Sequence, residues 1–145
     1  MNKIQTWKYL AEKKEAEFSE LDLEYRELVN VKTSIEEKTN FVTKIIEEQE
    51  AEETLKDAVF RLDGIHKSRQ VYLSQLRKML QGLATQIMDV QVDLSRVQEQ
   101  MWLLQIEKQR YEKLAEISSK KLEKFQAQLE QKESDGFALQ SFLQK

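Results

Sequence analysis

Residues 73–132 read LSQLRKMLQGLATQIMDVQVDLSRVQEQMWLLQIEKQRYEKLAEISSKKLEKFQAQLEQK, and this stretch decides the fold. Steps of alternately three and four residues through it meet an apolar side chain at fifteen of eighteen positions. The eighteen positions are Leu73, Leu76, Leu80, Leu83, Ile87, Val90, Leu94, Val97, Met101, Leu104, Lys108, Tyr111, Ala115, Ser118, Leu122, Phe125, Leu129 and Lys132. A helix with this spacing carries one narrow apolar seam. The stretch therefore predicts a long helix that needs an equally long helical partner.

The N-terminal half carries a matching seam. Ten of its fourteen positions are apolar. They are Ile4, Trp7, Ala11, Lys14, Phe18, Leu21, Tyr25, Leu28, Lys32, Ile35, Thr39, Val42, Ile46 and Gln49. Good helix formers dominate and there is no Pro, so we predict a first helix over about residues 3–62 and a second over about residues 66–134.

Asp63–Gly64 is the one turn signal in the middle of the chain. Glycine commonly ends a helix, so we place a turn near residues 63–65. Residue i then lies opposite residue 126 − i, which sets Lys14 near Tyr111. Glu133-Ser134-Asp135-Gly136 breaks the second pattern and leaves a short tail, 135–145. The predicted fold class is all-α: two long helices in an antiparallel coiled-coil hairpin, with residues 1–145 as a single domain.

The distribution of charge favours pairing within one chain. The net charge is −3 and 34% of the residues are charged. Residues 1–64 hold 10 basic and 16 acidic side chains, a net charge of −6, whereas residues 65–145 hold 13 and 10, a net charge of +3. Opposite charges attract when the halves lie side by side, so we expect a monomeric hairpin rather than a dimer of like helices. The acidic balance argues against nucleic acid as the main partner.

The residues that carry most enzyme chemistry are scarce. His66 is the only histidine and there is no Cys, which excludes disulfides and a zinc site built on those side chains. No phosphate-binding loop, dinucleotide fingerprint or Ser/His/Asp arrangement occurs. We expect no enzyme, no cofactor and no metal. No signal peptide or membrane span is indicated, which fits a cytoplasmic protein. The acidic run at 47–53 predicts a solvated helix face or, alternatively, a docking patch for a basic partner.

Three stretches resemble the FliJ family of flagellar export proteins, to which the YscO-type injectisome proteins are related. They are IQTWKYLAEKKEAE at 4–17, LQIEKQRYEKLAE at 104–116 and LEQKESDGFALQSF at 129–142. The last resembles the family's ending at Glu130, Gln131, Lys132, Glu133, Asp135, Ala138 and Phe142. Gly136 departs from that ending, because an acidic residue is usual there.

The resemblance implies a stalk or adaptor of a type III protein export apparatus. In the family the paired ends of the hairpin enter the pore of a hexameric export ATPase, and the other end reaches toward the export gate in the membrane. The resemblance also implies a role in handling export chaperones and a cytoplasmic location at the inner membrane face. It does not distinguish a flagellar system from an injectisome.

Two groups of residues are the expected contacts. The segment HKSRQVYLSQLRKML at 66–80 resembles the part through which the family engages the gate, with Tyr72, Leu76 and Met79 at the matching positions. Leu76 also lies on the seam, where it has a packing role. At the open end, Trp7, Leu10, Phe137 and Phe142 are large apolar groups of the kind that marks a binding surface. The ATPase is the partner that the resemblance implies for them.

Two other classes of protein fit a two-helix coiled coil of this size. A prefoldin-type holding chaperone needs β-hairpins between its helices, and residues 47–72 show no alternating β-branched pattern. A general coiled-coil tether or homodimeric scaffold needs no further motif. The opposite charges of the two halves count against a parallel homodimer.

Overall fold

The structure, a computed structural model, describes residues 2–57 and 63–144. Helix α1 spans Lys3–Asp57 and helix α2 spans Asp63–Leu143. No strand occurs in these two ranges. The prediction of an all-α chain of two long helices packed against each other is confirmed.

The ends of the helices differ from the prediction in two places. The turn predicted near 63–65 is wrong, because these residues form the first turn of α2. The last five residues predicted for the first helix, 58–62, lie outside the described residues. The predicted break at 133–136 is also wrong, since α2 continues to Leu143. Gly136 has no positive φ, and a glycine inside a helix costs only about 1 kcal/mol, so it does not by itself end the helix.

The start of α1 is fixed by a reciprocal cap. The backbone N–H of Gln5 donates to Asn2 Oδ1 at 2.8 Å, and the N–H of Asn2 donates to Gln5 Oε1 at 3.4 Å. These bonds satisfy two backbone donors that the first turn of a helix leaves without partners. Asn2 therefore sets the first residue of the helix.

The contacts of the chain divide it into two compact units, and each contains a part of both helices. One unit is Leu21–Glu99. Its core is the apolar seam that the heptad spacing predicts, with Leu73 only 1% exposed and Val97 fully buried. The core cluster consists of Ile35, Val42, Ile46, Leu73, Leu76, Leu83, Val90 and Leu94. Burying one such side chain contributes about 1.5–3 kcal/mol, so this single layer holds the two helices together.

The other unit is Met1–Glu20 with Gln100–Lys145. Here Ala11 and Ala115, each 6% exposed, are the buried residues. The Trp7 ring stacks on the Tyr111 ring with centroids 5.9 Å apart. Every side chain of residues 120–144 is exposed. Lys120 and Glu123 still line a groove with residues of α1, so the part of α2 without a helical partner in the described chain begins after Glu123.

The register of the pairing differs from the predicted one by about one helical turn. In the terminal unit, the residue numbers of paired side chains add to between 118 and 123: Trp7 with Tyr111, Lys14 with Glu107, and Lys108 with Glu15. The predicted sum was 126. Lys14 forms an ion pair with Glu107, one turn before Tyr111 on α2.

Ion pairs between the helices follow the predicted division of charge. In the unit Leu21–Glu99, three carboxylates of α1 face three arginines of α2. The pairs are Glu24 with Arg96, Glu50 with Arg77, and Glu52 with Arg69. Each exposed pair contributes only about 0–1 kcal/mol, so together they specify the partner and its orientation more than they stabilise the fold.

Candidate functional site

The stripe Tyr72, Leu76 and Met79 lies on α2 in the unit Leu21–Glu99 and divides into two kinds of residue. Leu76 is 7% exposed and belongs to the core cluster, in agreement with its place on the seam. Tyr72 and Met79 are 43% and 54% exposed. Because they are seven residues apart, they lie two turns apart on the same side of the helix. These two side chains are therefore available to a partner, whereas the side chain of Leu76 is packed in the core.

An open groove of about 690 Å³ runs beside Met79. Its lining comes from both helices and is mostly apolar: Ser34, Glu37, Lys38, Phe41, Val42 and Ile45 from α1, and Leu76, Met79, Leu83 and Gln86 from α2. Apolar grooves between two helices are suited to accept a further amphipathic helix. We refer to these ten residues as the mid-hairpin groove.

Phe41 is the groove residue that the sequence prediction missed. It is 66% exposed, although large aromatic side chains usually bury most of their surface. In the sequence it lies between the seam positions Thr39 and Val42, which makes it an off-seam aromatic at the softest part of the first seam. This off-seam position is the sequence feature that could have identified Phe41. The structure brings it together with Leu76 and Met79 around one groove.

The acidic run at 47–53 has partners on α2 for three of its five carboxylates. Glu50 and Glu52 form ion pairs with arginines at 2.8 and 3.5 Å. Glu53 accepts from Gln70 at 2.7 Å and lies 2.8 Å from Nδ1 of His66. Most of the acidic run is therefore paired within the chain, and His66 has a structural contact with Glu53.

In the terminal unit, the expected open-end residues fall into two groups. Trp7 and Leu10 are half-buried in the paired part, where Trp7 stacks on Tyr111. Phe137 and Phe142 are 74% and 75% exposed on the part of α2 that has no helical partner. Tyr111 and Phe137 are 26 residues apart on one helix, which corresponds to about 39 Å. The structure therefore does not bring the four residues together in one cluster.

Two lysines occupy seam positions in the same unit. Lys14 Nζ lies 3.0 Å from a carboxylate oxygen of Glu107, and Lys108 Nζ bonds to Glu15. Each lysine thus reaches across to a carboxylate on the other helix. The hydrogen bond with Glu107 raises the pKa of Lys14, and the bond with Glu15 raises the pKa of Lys108. A polar layer in an apolar seam favours one register over its neighbours.

This layer predicts a particular pH dependence of stability. A raised lysine pKa means that the ion pairs stabilise the fold below about pH 10.4 and lose this effect as the pH rises through the folded-state pKa. Glu15→Gln with Glu107→Gln should therefore lower the melting temperature slightly at about pH 8, and the difference from the wild type should shrink as the pH rises above about 10.4. Thermal unfolding followed by circular dichroism checks this. A difference that persists unchanged at the higher pH would contradict the assignment.

Chemistry at the remaining surface is sparse. Within residues 2–57 and 63–144, no group of three or more His, Cys, Asp or Glu side chains is arranged to hold a metal ion. In the same ranges, neither helix contains a stretch with the length and apolar character that crossing a membrane requires. The exposed apolar residues described above are candidates for contacts with a partner.

Comparison with known proteins adds no assignment. A scan against protein-family models finds no match, and searches of curated proteins and of solved structures find none either.

Proposed function

We propose that this chain is a non-enzymatic stalk or adaptor of a type III protein export apparatus of the flagellar kind. In this proposal the hairpin binds a hexameric export ATPase through the end that carries its termini and binds the cytoplasmic domain of the membrane export gate through its middle. It is thereby located at the inner membrane face through its partners. The single observation that carries the proposal is that a helical hairpin with FliJ-like sequence stretches exposes two separate apolar surfaces.

The first surface is the mid-hairpin groove with Tyr72. Met79 at 54% exposure and Phe41 at 66% leave large apolar area in water next to a well-packed core. Exposed apolar patches on a soluble hairpin support a protein-binding role. The gate is the partner that fits the resemblance of residues 66–80. A helical segment of the gate with apolar side chains on one face would cover this groove.

The second surface is the unpaired part of α2, which ends with Phe137, Leu139 and Phe142 at 61–75% exposure. Large apolar side chains that are exposed in the free chain are available to a partner. This argument favours Phe137 and Phe142 over Trp7 and Leu10 as the anchors for the ATPase, because the latter two are already half-buried. Handling of export chaperones would use the same exposed helix faces.

Two alternative functions are compatible with the same observations. A YscO-type stalk of an injectisome has the same expected architecture and differs only in its partners. A general coiled-coil tether would use its exposed apolar residues for some other coiled coil. Sedimentation of the purified chain with the purified hexameric export ATPase of its own organism tests the proposal. Co-sedimentation in a defined ratio is expected, whereas its absence with both flagellar and injectisome ATPases would leave the tether as the better account.

The gate contact has its own test. Tyr72→Ala with Met79→Ala should weaken binding to the purified cytoplasmic domain of the gate by at least about tenfold, because each removes an exposed apolar anchor. Both side chains are exposed, so the melting temperature should stay unchanged. Isothermal titration calorimetry provides the affinity. Met88→Ala with Val92→Ala, at 67% and 68% exposure outside the groove, is the matched control and should bind as the wild type does.

A further inference from the structure

The unpaired part of α2 keeps an apolar seam that nothing in the described chain covers. Leu122, Phe125 and Leu129 continue the coiled-coil spacing, yet they are 45%, 57% and 44% exposed. In the paired part, from Leu73 to Ser118, every position of the same spacing is buried or half-buried. A helix with such a seam gains stability by pairing with another helix. We propose that residues 120–134 pair with the same residues of a second copy of this chain, in antiparallel orientation.

The arrangement of charge along this segment selects the second copy as occupant. Residues 120–124 carry Lys120, Lys121 and Lys124 against Glu123, a net charge of +2. Residues 130–134 carry Glu130 and Glu133 against Lys132, a net charge of −1, and Asp135 adds a further negative charge just beyond the overlap. Antiparallel pairing sets the basic end of each copy against the acidic end of the other, whereas parallel pairing sets like charge against like. The segment is therefore complementary to itself about a two-fold axis.

The seam residues match in the same register. When the two copies are related about residue 127, Phe125 of one copy lies opposite Leu129 of the other, and this contact occurs twice. Leu122 lies opposite Lys132, whose aliphatic stem can cover it while the ammonium group reaches water. The register that pairs the charges thus also pairs the apolar side chains. Phe137 and Phe142 lie outside this overlap.

The expected dimer is weak. The overlap of 15 residues is about 22 Å long, and three apolar side chains from each copy give an interface below the size of stable complexes. We expect a dissociation constant on the order of 10 μM. The expectation of a monomer rests on the opposite net charges of the two halves, and this inference replaces it with weak self-association through residues 120–134. It does not rest on the proposed function, since it concerns the purified chain alone.

Sedimentation equilibrium of the purified full chain tests the proposal. A monomer is expected at about 1 μM and mainly a dimer at about 200 μM. Phe125→Ser with Leu129→Ser should remain a monomer at both concentrations, and unchanged helicity would show that the hairpin still folds. Leu139→Ser, outside the overlap, is the control that should still form the dimer. A wild type that stays monomeric at the higher concentration, or a dimer that persists in the double variant, would overturn the proposal.

Charge reversal tests whether these charges hold the two copies together, and cross-linking tests the orientation. The variants Lys120→Glu/Lys121→Glu/Lys124→Glu and Glu130→Lys/Glu133→Lys/Asp135→Lys should each be monomeric alone and should dimerise when mixed. The chain has no native Cys, so single cysteines can report which residues meet. Leu122→Cys mixed with Lys132→Cys should form a mixed disulfide faster than either forms with itself. Faster self-linking at both positions would indicate parallel pairing and contradict the antiparallel arrangement.

Discussion

Leu73→Asp is expected to unfold most of the hairpin. Leu73 is 1% exposed in the core cluster, and among the described residues the buried set contains no polar or charged side chain that could neutralise a carboxylate there. An unpaired buried charge costs about 3–5 kcal/mol, which is comparable with the whole stability of a domain of this size. Urea unfolding followed by circular dichroism measures the loss. Leu94→Asp, at 9% exposure on the same seam, should be destabilising for the same reason.

Leu139→Asp is the matched control for this prediction. It introduces the same side chain on the same helix at a position that is 61% exposed. A surface substitution of this kind changes the stability by about 0.5 kcal/mol or less. If Leu73→Asp were as mild as Leu139→Asp, the seam would not be the core of the fold.

The second large expected effect is a loss of affinity for the export ATPase. Phe137→Ser with Phe142→Ser should weaken binding to the hexameric export ATPase by at least about 100-fold, because aromatic anchors in a buried interface often contribute 2 kcal/mol or more each. Both rings are about three-quarters exposed in the free chain, so the helicity and the melting temperature should not change. Surface plasmon resonance with immobilised ATPase provides the affinity.

Trp7→Ser serves as the comparison for the open-end residues. Its ring stacks on Tyr111 within the hairpin, so this change should lower the stability of the terminal unit. The affinity for the ATPase should fall less than in the double variant. A larger loss of ATPase affinity in Trp7→Ser than in the double variant would identify Trp7 as the principal anchor.

Much of the fold could be predicted because heptad spacing depends only on the order of apolar residues. Seam positions such as Leu73 and Val97 are buried as the spacing requires. The helix boundaries could not be predicted as well. The sequence predicts helix ends at Gly64 and Gly136, but glycine most often ends a helix in a conformation with positive φ, and neither residue adopts it here. The sequence cannot indicate which φ a glycine adopts, because glycine permits positive and negative values alike.

The candidate site was predictable only in part for a different reason. Tyr72 and Met79 could be singled out because they lie off the seam of α2. Phe41 could not be connected with Met79, because their place around one groove depends on how the two helices are aligned. In the terminal unit, the displaced register hid the ion pairs of Lys14 and Lys108. Contacts between helices require an exact register, whereas burial along one helix requires only its own period.

The proposal of two separate binding surfaces is tested most directly by one crossed measurement. The affinities of the wild type, Phe137→Ser/Phe142→Ser and Tyr72→Ala/Met79→Ala are measured for both the export ATPase and the cytoplasmic domain of the gate. We predict that the first variant loses affinity for the ATPase alone and that the second loses affinity for the gate alone. Equal losses for both partners in both variants, or no binding of the wild type to either partner, would contradict the stalk proposal.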